Sequence, residues 1–128
     1  MDEPIDLIKK IALDNKKLSC SETVRSCYRW VQRNIKYDVL DSLNPVDSYY
    51  PEDTIQRGSG NCIAIAEVFM ALLRANNIEC RFRLIQVKPL RTSFLVKAIL
   101  LGKTDFPHGI VEVFIDDKWI QLVPIAAL

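Results

Sequence analysis

The run from Asn61 to Asn77, NCIAIAEVFMALLRANN, constrains this chain more than any other stretch. It is apolar through nearly every turn, so it reads as a strong, largely buried helix rather than a surface one. Cys62, Ala66, Phe69 and Leu73 recur at i, i+4, i+7 and i+11 and share one face. Asn76-Asn77 ends the run plausibly, because Asn tolerates the left-handed backbone found at helix C-termini. The full chain has 128 residues, which is most simply a single domain over residues 1–128. A chain of that length buries a core without disulfides or a structural metal.

The flanking segments supply the cover for this helix. Residues 4–16 predict a short helix with Pro4 in its first turn and Ile5, Ile8, Ala12 and Leu13 on one side. The stretch SCSETVRSCYRWVQRNIKYD predicts a second helix, with Ser21 as its cap and an apolar stripe of Val24, Cys27, Tyr28, Val31 and Ile35. Cys20 and Cys27 are seven apart and read as core residues of that helix. Residues 38–60 read as loop, with turn and cap signals at Asn44-Pro45, Tyr50-Pro51, Glu52-Asp53 and Gly58-Ser59-Gly60.

Beyond the central helix the period changes from helical to alternating. From Glu79 to Val87, Cys80, Phe82 and Leu84 point one way and Arg81 and Arg83 the other, as in a half-buried strand. Pro89 ends it, and residues 92–101 fit strand and helix equally. Residues 108–115 and 118–123 form a hairpin around Asp116-Asp117. Helices followed by antiparallel strands define an α+β class, with the central helix packed on the sheet.

Composition removes several function classes. Seventeen Lys and Arg against sixteen Asp and Glu leave a net charge of +1, too little for the basic field that nucleic-acid or anionic-membrane binding uses. One His and four Cys exclude His-rich metal sites, and Cys20, Cys27, Cys62 and Cys80 show no CxxC spacing. No metal or organic cofactor is implied. The opening MDEPIDLIKK has no basic and apolar signal-peptide pattern. The longest apolar stretches are broken by Glu67 and Lys97, short of a membrane span of about 20 residues. Reduced thiols and a cytoplasmic location are the expectation.

Two residues carry the chemistry. Cys62 follows Gly58-Ser59-Gly60-Asn61 and opens the central helix, so it lies among backbone N–H groups that have no intrahelical acceptor. Those groups and the helix dipole favour negative charge on the sulfur and on an oxyanion beside it. The glycines let a substrate backbone approach. His108 begins a strand after Phe106-Pro107, and as the lone imidazole it is the one candidate base of that type. A Cys at a helix start facing a His on an antiparallel strand is the arrangement used in Cys–His acyl transfer.

Three blocks of the chain resemble the transglutaminase-like superfamily, relatives of papain-type thiol enzymes. They are YRWVQRNIKYD, GSGNCIAIAEVFMALLRANNIECR and HGIVEVFIDDKWIQLVP, and they lie in the family order within the run from Val24 to Pro124. The resemblance implies that Cys62 is the nucleophile and His108 its base. The family's orienting Asp stands directly before the Pro of the last block, and here that position is Val123. Valine accepts no hydrogen bond from an imidazole. In the best-studied triad, loss of the carboxylate costs about 10⁴ in rate, roughly 5 kcal/mol.

Substitutes for that Asp are few. Asp105 precedes His108 in a loop, and Gln121 lies two residues from Val123, although it is expected to pair across the hairpin with Glu112. Glu112 itself is about 13 Å along the strand from His108, and Asp116 and Asp117 are about 26 Å or more away. Gln56, six residues before Cys62, has the spacing of an auxiliary oxyanion donor in papain-type enzymes. Tyr49 and Tyr50 either line a groove or cover the core, and Trp30 and Trp119 pack. The expected activity is thiol-dependent acyl transfer or hydrolysis at a peptide or glutamine amide, with a peptide or protein as partner. The alternative is a catalytically weakened domain that binds a peptide or protein in the same cleft.

Overall fold

The computed structural model describes residues 6–38, 50–87 and 106–123. Ile5, Tyr49, Pro89, Asp105, residues 92–101 and the turn signal at Asn44-Pro45 lie outside the described residues. The side chains of residues 84–87 and 106–109, His108 among them, are likewise outside.

The central helix, α4 (Cys62–Ala75), forms as its sequence requires. Ala64, Ile65, Ala66, Val68, Phe69, Met70, Leu72 and Leu73 are all buried, so α4 is covered around most of its circumference, and a narrow stripe of Ile63, Glu67, Ala71 and Arg74 reaches solvent. Asn76 caps it and Asn77 takes the left-handed conformation at φ 60°. Two N-terminal helices cover part of α4. In α1 (Asp6–Asp14) the buried side chains are Ile8, Ile11 and Ala12. Leu13, expected on that face, is 69% exposed. The reason is phase: positions 8, 11 and 12 form the 3–4 spaced stripe, and position 13 lies about 140° from position 8.

In α2 (Cys20–Asn34) Val24, Cys27 and Val31 are buried as expected, with Ile35 following at the cap. The N-cap is Ser19 and not Ser21. The Ser19 side chain accepts from the Glu22 N–H at 3.2 Å, and its hydroxyl donates to the Glu22 carboxylate at 3.1 Å. The Ser-x-x-Glu pattern of a capping box stands in the sequence at positions 19–22, here with the Ser19 hydroxyl as the donor to the carboxylate. The shift moves Cys20 to the first position of the helix, where it is exposed rather than core.

The stretch read as loop contains a helix, α3 (Pro51–Arg57). Its turn signals are helix signals in order: Pro51 at the first position, Glu52 and Asp53 in the first turn, Arg57 in the last. Gly58 closes it at φ 75°, a conformation that L side chains rarely adopt. Two short strands, β1 (Lys36–Tyr37) and β2 (Ser59–Gly60), then pair in parallel, with Lys36 opposite Ser59 and Tyr37 opposite Gly60.

A three-stranded antiparallel sheet completes the described fold in the order β3 (Cys80–Val87), β4 (Phe106–Ile115), β5 (Lys118–Leu122). The β4–β5 turn is Asp116-Asp117, both at positive φ, which matches the twist of a tight hairpin. Cys80, Val111, Val113 and Ile115 join the core cluster with α4, and Phe82 and Leu122 pack against it. Helices packed on an antiparallel sheet give the expected α+β class. No helix among the described residues is long and apolar enough to cross a membrane.

The opposite face of the sheet holds a buried carboxylate. Glu112 is 4% exposed and stands in a cross-strand row between Arg81 and Gln121. Its oxygens accept from Arg81 Nε at 2.7 Å, Arg83 Nη1 at 3.3 Å and Gln121 Nε2 at 3.4 Å. The Arg81 guanidinium also lies 3.9 Å from the centre of the Trp119 ring, and Trp119 packs on Phe114. The Arg81 hydrogen bond, more than any other contact, holds the Glu112 carboxyl below its ordinary range, against the opposing effect of burial. A folded-state value below the unfolded one stabilises the fold at neutral pH, and that stability is lost as pH falls through the folded value. Glu112→Gln is therefore expected to lower stability at pH 7 and to flatten its acid dependence below about pH 4.3, the ordinary glutamate value. Denaturant titrations at several pH values measure both effects.

Candidate functional site

The start of α4 is held from three sides. Asn61 is the N-cap, and its side chain accepts from the Ala64 N–H at 2.9 Å while its carbonyl accepts from the Ile65 N–H at 3.0 Å. Cys62 and Ile63 occupy the first two helical positions, so their N–H groups have no intrahelical acceptor. Behind them, β2 passes so close to the first turn that a Cβ at Gly60 would stand 2.8 Å from the Ala64 Cβ and 3.4 Å from the Thr54 methyl. Beside them, the β1 ladder docks the chain after α2: the Lys36 N–H donates to the Gly58 carbonyl and the Asp38 N–H to the Gly60 carbonyl, each at 2.9 Å.

This ladder brings in two residues that the sequence reading did not single out. Tyr37 lies opposite Gly60, two residues before Cys62, and is half-buried against the core. Burial pushes its phenol up to about 12, and negative charge at Cys62 and Asp38 pushes the same way. Tyr37 is therefore a neutral O–H at neutral pH, in the electrostatic reach of the Cys62 sulfur. The signal was present in YRWVQRNIKYD, where Tyr37-Asp38 come just after Ile35, the C-cap of α2, and Lys36. What the sequence alone did not give was the parallel pairing of a two-residue strand with residues 59–60.

The four thiols are now separable. Cys27 is fully buried, and desolvation pushes its thiol up to about 11. Cys80 is buried with its sulfur 3.8 Å from the Met70 carbonyl, and burial raises its thiol too. Cys20 and Cys62 both open a helix, but Cys20 sits on open surface whereas Cys62 is half-exposed among Gly60, Asn61 and Tyr37. Among the described residues, no three His, Cys, Asp or Glu side chains gather where they could hold a metal ion.

Topology brings the backbone of His108 toward the same end of the molecule. The chain reverses at Asn76-Asn77, and β3 runs back along α4, with Cys80 level with Met70. About 12 Å of helix separate Met70 from Cys62. About 16 Å of strand separate Cys80 from Ile85, the register partner of His108. Val123 stands one step past the last β4–β5 pair, Val111–Leu122, about 7 Å along the sheet from the His108 position. Its side chain packs on the core, and its carbonyl accepts from the Tyr28 hydroxyl at 2.8 Å.

The remaining candidates are placed plainly. Gln121 is held by Glu112 across the hairpin, as expected of a cross-strand partner. Gln56 is exposed on α3, and Tyr50 is 72% exposed ahead of that helix. Gly60→Ala tests the close approach that fixes Cys62. The Ala64 Cβ, fixed on the helix, the Thr54 methyl and the Arg57 guanidinium surround the new Cβ, so a loss of about 1–3 kcal/mol is expected in chemical denaturation.

The profile of the transglutaminase-like superfamily matches residues 6–124. A search of curated proteins finds no significant match. Among solved structures, a Cytophaga hutchinsonii protein provisionally designated a cysteine protease superposes with a TM-score of 0.67 at 23% identity, over 93% of this chain and 37% of its own. A Parabacteroides distasonis protein, provisionally designated a protease, gives 0.64 at 15% identity over 94% of this chain and 23% of its own. A structure described as a TGase gives 0.57 at 19% identity over 93% and 30%. The chain thus spans well under half the length of these three proteins, and at such identities the likeness is one of fold. With the family profile covering residues 6–124, and a capped α4 packed on an antiparallel sheet, the chain belongs to the transglutaminase-like superfamily.

Proposed function

We propose that the chain carries out thiol-dependent acyl transfer or hydrolysis at a peptide or glutamine amide, with Cys62 as nucleophile and His108 as base. The observation that carries this reading is the position of Cys62: first residue of α4, half-exposed, beside two N–H groups with no helical acceptor. The return of β3 and β4 toward that end of α4 supports the assignment of His108.

In this reading the imidazole takes the thiol proton as the sulfur attacks the amide carbon. The carbonyl oxygen becomes an oxyanion, and the N–H groups of Cys62 and Ile63 are directed at charge developing there. Collapse expels the amine, which takes its proton from the imidazolium, and leaves a thioester. Water or a second amine then resolves the thioester. Tyr37, opposite Gly60 in the β1–β2 pair, is a further polar residue near the start of α4.

A second reading has its own observation. Val123 fills with an apolar side chain the position where the resemblance places a carboxylate, and it packs on the core. A domain without that carboxylate binds peptide in the cleft and turns it over slowly or not at all.

Alkylation kinetics with peptide mapping decide whether Cys62 is activated. In a Cys20→Ser background, Cys62 is expected to react with iodoacetamide at pH 7 at least tenfold faster than Cys27 and Cys80, and His108→Ala is expected to slow it. Equal and slow labelling of all three thiols, indifferent to His108, would sink the enzyme reading and leave the binding module.

A further inference from the structure

Apart from the α4 site, α2 carries a charged feature that the fold does not use. Arg25, Arg29 and Arg33 recur every fourth residue and are all exposed. Like charges at this spacing disfavour a helix, so the row has a cost. Among the described residues none of the three forms an ion pair; those found there join Arg81 and Arg83 to Glu112. The lone carboxylate of α2, Glu22, accepts from the Ser19 hydroxyl at the helix cap.

The row is also a ridge between two surface cavities. Arg25 and Arg29 line both of them. The cavity toward the sheet, about 420 Å³, has an apolar floor that includes Val24, Tyr28, Ile115, Ile120 and Leu122. Ile120 is 39% exposed there, an unusual place for a large aliphatic side chain at the rim of a cationic ridge. Charge and apolar surface therefore run side by side along α2.

We propose that this face docks an acidic amphipathic helix of a partner protein. The argument is one of complementarity. Successive arginines are about 6 Å apart along α2, and a second α-helix has the same rise, so carboxylates at i, i+4 and i+8 keep pace with the row. Residues three after each carboxylate lie beside it on the partner helix and face the apolar cavity. A nucleic acid meets the charge but brings no aliphatic side chain to that floor, and the net charge of +1 gives it no wider field. This docking does not depend on the acyl-transfer reading.

Fluorescence anisotropy of the full chain with labelled peptides tests it. The probe is a peptide of about four Glu-Ala-Ala-Leu repeats, long enough to form a helix. The comparison ligands are Gln-Ala-Ala-Leu and Glu-Ala-Ala-Ala peptides of the same length and an oligothymidine of equal charge. The Glu-Ala-Ala-Leu peptide is expected to bind at least tenfold tighter than each of the other three and to weaken as salt rises. Arg25→Glu/Arg29→Glu/Arg33→Glu is expected to lose that binding and to gain a Lys-Ala-Ala-Leu peptide, a switch that simple misfolding does not produce. Arg29→Gln alone and Ile120→Lys are milder variants, each expected to weaken binding severalfold. Equal affinity for the Glu and Gln peptides overturns the proposal, as does tighter binding of oligothymidine or indifference to all of these substitutions.

Discussion

Everything described in this molecule is arranged around a helix that is buried on all but one narrow stripe. From Ala64 to Leu73 only Glu67 and Ala71 are partly exposed, so α1, α2 and the sheet are its cover as much as elements in their own right. One end of that helix is treated differently. Its start is reached by β2 at a distance that admits no Cβ at Gly60, and it is capped by the buried Asn61. Cys62 is thereby fixed at the boundary between a close-packed interior and the surface, with backbone donors beside its sulfur. A helix start alone does not define such a position, since Cys20 also opens a helix and lies on open surface.

The sheet serves that position from the other side. One face joins the α4 core. The other carries Glu112 beneath two arginines and a glutamine, which locks the β3–β4–β5 register through side chains as well as through the ladders. Because β3 turns straight back from the end of α4, a fixed register also fixes which part of β4 returns toward Cys62, and that part includes His108. Val123, at the same end of the sheet, contributes packing and a backbone acceptor for Tyr28, with no carboxylate to orient an imidazole.

Much of this was legible in the residues because it depends on period and on local caps. The buried α4, the alternation of Cys80 to Arg83, the Asp116-Asp117 turn and the Glu112–Gln121 pairing all follow from spacings of a few residues. The misreadings have local causes too. Leu13 falls outside the 3–4 spaced stripe of a short helix, the cap is Ser19, two residues before Ser21, and the Pro51–Arg57 signals stand in the order of a helix and not of turns. Tyr37 and Asp38 were not legible in this way. Their place beside Cys62 depends on a parallel bridge between segments more than twenty residues apart, and no local pattern encodes such a pairing.

The account stands on a covalent step at Cys62. The direct measurement is acid-quenched mass spectrometry, with peptide mapping, after brief exposure to a p-nitrophenyl ester as acyl donor. The expected result is a hydroxylamine-labile acyl group on Cys62, absent from Cys20, Cys27 and Cys80 and lost in His108→Ala. Acylation spread equally over Cys20 and Cys62, or unaffected by His108→Ala, would contradict it.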